Sequence, residues 1–122
     1  MTPTEIRNEK LAAKIIKNLE RRHIKGYYCP TAKEAVELVS NLIEDGSSVT
    51  WGGSMTIRDM GIPAALHARQ SLTVYDRDLA ADREEAQQIY LKAFSSDYYL
   101  SSINALSEDG QIVNVDGTGN RV

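Results

Sequence analysis

The stretch SSVTWGGSMTIRD, residues 47 to 59, constrains the fold more tightly than any other part of the chain. Val49, Thr50 and Trp51 form a β-branched and aromatic run that reads as a strand, and a helical pattern opens at about Ser54. Only Gly52 and Gly53 stand between them, which is the spacing of a strand handing over directly to a crossover helix. Two readings of those glycines are open. They permit a tight turn with Ser54 as a plain helix cap, or they remove the Cβ atoms that would keep backbone amides away from an anion. In the second reading Ser54 caps or donates to a ligand oxygen, and Thr56 follows two residues further in.

The rest of the chain repeats this alternation. Thr2, Pro3 and Glu5 supply a capping box with proline in the first turn, and Leu11, Ala12, Ile15, Ile16 and Leu19 recur at helical spacing. Lys10, Lys14, Lys17, Arg21 and Arg22 read as the solvated face of that helix. The segment IKGYYC, residues 24 to 29, predicts a short strand ended by Pro30, with Cys29 at its buried end. Thr31 and Glu34 predict a second capped helix, striped by Ala35, Val36, Val39, Leu42 and Ile43 and closed by a left-handed Gly46. Gly61 and Pro63 break the helix that starts near Ser54. A strand SLTVYD follows, then a helix capped by Asp82 with Ala86, Ile89, Tyr90 and Ala93 on its apolar side. DYYLSSINAL returns to strand character, and Asp109-Gly110 between two alternating runs predicts a hairpin. The adjacent pairs Tyr27, Tyr28 and Tyr98, Tyr99 place one ring on each face of a strand, as core packing first.

Strands alternating with helices over 122 residues predict a single α/β domain, residues 1–122, with a mostly parallel sheet, helices on both faces and a C-terminal β-hairpin. Such sheets bind ligands beyond the carboxyl ends of their strands. Lysine and arginine number 14 and aspartate and glutamate 17, a net charge of −3, and no basic run is present, so nucleic acid is not an expected partner. No segment is apolar enough to span a membrane, and the mixed-charge start is unlike a secretory signal, so a cytoplasmic protein is expected. One cysteine excludes an internal disulfide.

A second glycine-rich loop, VDGTGN, follows the hairpin. Asp116 stands after an alternating strand, where a carboxylate accepts a sugar hydroxyl or acts as a general base. Gly117 and Gly119 free the backbone around Thr118 and Asn120, and Arg121 can fork onto a carboxylate or phosphate. The other reading is a surface turn rich in turn formers. Asp76, at the end of a strand, either meets a ribose hydroxyl or begins a turn. His67 has no second histidine or cysteine at ligand spacing and reads as structural or exposed, and Trp51 either walls a pocket or is a half-buried aromatic. No Ser-His-Asp set, metal cluster, full dinucleotide fingerprint or Walker loop is present, so no cofactor is expected and binding is favoured over self-contained catalysis.

WGGSMTI together with NALSEDGQIVNVDGTGNRV resembles the LUD domain family, which includes the lactate-utilisation protein C group, and the resemblance runs from about residue 5 onward. It implies a fold similar to the sugar-phosphate isomerase and CoA-transferase group, in which glycine-rich loops after strands hold anionic ligands. It also implies lactate oxidation with separate flavin or iron–sulfur partner subunits. Some members carry cysteine clusters for iron–sulfur binding, which Cys29 alone does not supply. Members continue past GNRV, so a chain ending at Val122 is expected to lack the C-terminal part of the family domain and to complete its sheet as a homo-oligomer.

The leading expectation is an accessory or regulatory component of lactate utilisation that binds a small anionic metabolite through Gly52, Gly53, Ser54, Thr56, Asp76, Gly117, Thr118, Gly119, Asn120 and Arg121. One alternative is an isomerase- or transferase-like enzyme acting on a phosphorylated sugar or acyl substrate, with Asp116 as general base. The other is a non-catalytic interaction module. A composite site requires the two glycine loops to converge.

Overall fold

The computed structural model describes residues 2–115. In chain order the elements are α1 (Pro3–Arg21), α2 (Ala32–Leu42), β1 (Ser48–Trp51), α3 (Met55–Asp59), α4 (Ile62–His67), β2 (Thr73–Tyr75), α5 (Arg83–Lys92), β3 (Tyr98–Leu100), β4 (Ala105–Leu106) and β5 (Ile112–Val113). The protein is mixed α/β, with a three-stranded parallel sheet and a small antiparallel pair. The described residues form two compact units, residues 32–102 and residues 2–31 with 103–115.

The parallel sheet lies in the unit of residues 32–102 and has the order β2-β1-β3. β1 is the central strand, in register with β2 at Val49 and Val74 and with β3 at Val49 and Tyr98. Val49, Thr50 and Trp51 are all buried, as a strand flanked on both edges and covered on both faces requires. The core joins Val49 and Trp51 to Ile43, Ile57, Ile62 and Leu66, with Val36, Val39 and Leu100 packed around it. The connection from β1 to β2 runs through α3 and α4, and the return from β2 to β3 runs through α5 in the opposite direction across the sheet. Right-handed crossovers therefore place these helices on opposite faces.

Local chemistry sets most boundaries. Ser54 caps α3 by accepting from Ile57 N–H, and Asp82 caps α5 by accepting from Glu85 N–H. Gly61, at φ +85°, separates α3 from α4, and Pro63 sits in the first turn of the latter. Gly46 is left-handed, as the sequence suggests, but it lies beyond the helix end in a turn closed by Ser47 N–H on the Glu44 carbonyl. Arg69 ties that turn together by donating to the Ser40 and Ile43 carbonyls and to Asp45 Oδ1. The Ser71 hydroxyl and the Arg69 guanidinium hold the Asp45 carboxyl below its ordinary value.

In the other unit, α1 opens with the expected capping box, in which Thr2 Oγ1 accepts from Glu5 N–H and Glu5 returns a carboxylate to Thr2 N–H. Its stripe of Leu11, Ile15, Ile16 and Leu19 is half-buried. The hairpin of β4 and β5 forms around Asp109-Gly110, with Ser107 and Gln111 closing a three-residue loop in which Gly110 is left-handed. Its tip meets the basic face of α1. Asn18 Nδ2 donates to the Glu108 carbonyl, and Arg22 and Lys14 pair with Asp109 and Glu108.

One expected strand is absent. Residues 24–29 form no strand; Gly26 instead lies so close to α1 that a Cβ there would come within 2.9 Å of Ile16 Cγ1. Contact with a helix replaces edge pairing, Cys29 is half-buried outside any strand, and Tyr27 and Tyr28 are both exposed rather than split between core and solvent. Tyr98 and Tyr99 do split, since they sit in a true strand.

Two predictions follow from these local constraints. Gly110→Ala places a Cβ 3.0 Å from the Asn18 carbonyl carbon at φ +86°, whereas Gly46→Ala has the same φ and open space. The left-handed conformation alone costs about 1–2 kcal/mol, so urea unfolding should show the Gly110 variant to be the less stable of the two. For Asp45, a depressed folded pKa stabilises above the ordinary value of 3.8 and loses that contribution as pH falls through the lowered one. Wild type and Asp45→Asn should accordingly differ at neutral pH and converge in acid only as pH falls below 3.8 and through the lowered folded value.

Candidate functional site

The carboxyl ends of β1 and β2 border a shallow depression lined by Trp51, Gly52, Arg58, Asp76, Arg77 and Asp78. Strand register makes this meeting obligatory. Thr50 is paired with Tyr75, so Trp51 and Asp76 are the next residues along. It is a surface dip rather than a cavity: its roughly 140 Å³ includes open solvent, and it encloses no space for even a water-sized sphere.

Asp76 anchors the arrangement. Its side chain is only 8% exposed, and both oxygens are occupied: Oδ1 accepts from Asp78 N–H at 2.9 Å, and Oδ2 lies 2.8 Å from His67 Nε2. A carboxylate accepts in both contacts, so the proton of the second lies on His67 Nε2. Trp51 and the imidazole meet in a T-shaped contact at a centroid distance of 6.1 Å and an interplanar angle of 86°. The turn Arg77–Leu79 is thereby tied to the end of β2, and Arg58 from α3 crosses to it, with Nη2 donating to Asp78 Oδ1 at 2.9 Å. Arg58 Nε is buried and has no hydrogen-bond partner among the described residues.

The Gly-Gly-Ser turn borders the same end of β1. The left-handed glycines among the described residues are Gly46, Gly61 and Gly110, so neither Gly52 nor Gly53 is there to supply a positive φ. Gly52 is buried, its N–H donates to the Leu100 carbonyl at 3.0 Å, and its own carbonyl accepts from Ser54 N–H. Gly53 and Thr56 are exposed. Ser54 is buried, and its hydroxyl accepts from Ile57 N–H and donates to Ser102 Oγ at 3.0 Å, joining the loops that follow β1 and β3.

Asp76 thus joins Gly52 at the depression, while Gly53 and Ser54 lie in the adjoining turn and Thr56 in the first turn of α3. Asp116, Gly117, Thr118, Gly119, Asn120 and Arg121 lie outside the described residues. Sequence reasoning passed over Arg58, Arg77 and Asp78, and it read His67 without its partner. The signal available was slight: Asp76-Arg77-Asp78 leaves a strand with alternating charge, and Arg58 follows the helix cap by four residues.

A family model described as the LUD domain matches residues 12–122. The chain belongs to the LUD domain family. The match includes both segments that carried the resemblance, and it makes the protein a member of a lactate-utilisation-related family. No curated protein and no solved structure matches the chain. Among the described residues of this LUD domain, no group of three or more metal-ligating side chains is assembled, and no helix is long and apolar enough to cross a membrane.

The His67 contact can be weighed directly. His67→Ala leaves a buried carboxylate short of one donor, and hydrogen bonds to charged groups contribute about 1.5–3 kcal/mol. Urea unfolding of that variant should show a loss of this size, with the slope of the transition unchanged.

Proposed function

We propose that this LUD domain binds a small anionic metabolite at the carboxyl ends of its parallel strands, as an accessory or regulatory component of lactate utilisation. One observation carries the reading: two arginines, Arg58 and Arg77, line the same depression as Gly52 at the ends of β1 and β2. Guanidinium forks match carboxylates and phosphates, and parallel sheets leave their ligand crevices at this end. A shallow surface site of this kind suits a compact acid held from the rim rather than one enclosed, and the redox steps of lactate oxidation fall in this reading to separate partner subunits.

The reading is tested by thermal unfolding against phosphate, sugar phosphates, lactate, nucleotides, CoA and folates. A bound ligand at a hundred times its dissociation constant adds roughly 2.7 kcal/mol of stability, which gives a clear shift in midpoint. The expected result is a shift with one class of small acid that disappears in a folded Arg58→Gln, Arg77→Gln double variant. A shift that survives that variant, or no shift with any compound, overturns the site.

A further inference from the structure

Arg58 has an incomplete set of hydrogen bonds. Nε and Nη2 lie on the same edge of the guanidinium, and a carboxylate placed side-on along that edge accepts from both. Asp78 takes only Nη2, at 2.9 Å, while Nε is buried without an acceptor among the described residues. A buried donor left unpaired is costly, so the edge is built for a better acceptor than the one it holds. Asp78 is restrained from supplying it, because its own N–H is fastened to Asp76 Oδ1 at 2.9 Å. Its carboxylate is nevertheless half-exposed and free to leave toward solvent.

The charges of the lining restrict the ligand further. Arg58 and Arg77 are offset by Asp76 and Asp78, so an anion added to the depression meets no net positive charge. An anion that replaces Asp78 leaves the local charge as it was, provided that it carries a single charge. Resting on the anion-binding reading above, we propose that Asp78 is a built-in competitor at this site: an organic monocarboxylate takes Arg58 Nε and Nη2 together and displaces the Asp78 carboxylate into solvent.

The test titrates wild type, Asp78→Asn and Arg58→Lys with sodium L-lactate and, separately, inorganic phosphate at constant ionic strength. The fluorescence of Trp51, the chain's one tryptophan and part of the lining, reports occupancy. Exposed ion pairs are weak, so removing the competitor should tighten lactate binding by up to about fivefold. Arg58→Lys should weaken it at least tenfold, because an ammonium has no side-on edge. In wild type, the Arg58 Nε–H resonance should move when lactate binds, a readout that does not depend on how well a variant folds. Lactate binding that Asp78→Asn leaves unchanged or weakens, or an Nε–H resonance that stays in place on binding, overturns the competitor while leaving the anion site standing. A larger gain for phosphate than for lactate overturns the carboxylate class. No response of any protein to either anion overturns both the competitor and the site.

Discussion

The pairing of β1 along both of its edges is the constraint on which the rest of the larger unit depends. Val49 is fully buried and stands opposite Val74 on one side and Tyr98 on the other, so three short strands share one register. A slip of one residue would turn Val49 and Trp51 to the wrong face and break the core with Ile57, Ile62 and Leu66. Because the strands are parallel, their carboxyl ends lie on one side of the sheet. That alone brings Asp76 to the same edge as Trp51 and Gly52, which lie some two dozen residues earlier in the sequence.

What gathers there is a set of polar groups that hold one another. Asp76 fixes His67 and the Asp78 amide, Asp78 fixes Arg58, and Ser54 links the loops after β1 and β3 through Ser102. The order in this set is set by burial. Asp76 is buried with both oxygens engaged by His67 and the Asp78 amide, whereas Asp78 is half-exposed and has one partner on Arg58. A buried acceptor with two donors is a framework; an exposed one on a guanidinium edge that still lacks an acceptor is exchangeable. The functional proposals follow that difference.

The unit of α1 and the hairpin shows where pattern reading fails and where it holds. Turn chemistry is local, so Asp109-Gly110 placed the hairpin correctly, although the loop closes with three residues rather than two. IKGYYC has the composition of a strand, yet strand formation needs a partner edge, and the contact of Gly26 with Ile16 shows that this segment lies on a helix instead. The basic residues of α1 looked merely solvated, and Lys14 and Arg22 remain mostly exposed while also meeting Glu108 and Asp109 at the hairpin tip. Partners some ninety residues away in sequence leave no periodic trace.

The sequence by itself determined the features whose physics is short-ranged: the caps at Thr2, Ser54 and Asp82, the break at Gly61, the alternation of strands and helices from α2 onward, and, through WGGSMTI and NALSEDGQIVNVDGTGNRV, membership of the LUD domain family. It also singled out Gly52 and Asp76, since glycine after a strand and aspartate at a strand end are local signals. Only the tertiary structure decided that Asp76 pairs with His67, that Arg58 meets Asp78, and that Arg77 lines the same depression. Those contacts depend on sheet order and register, which are settled by the packing of the whole core. A charge pair twenty residues apart has no spacing of its own to read.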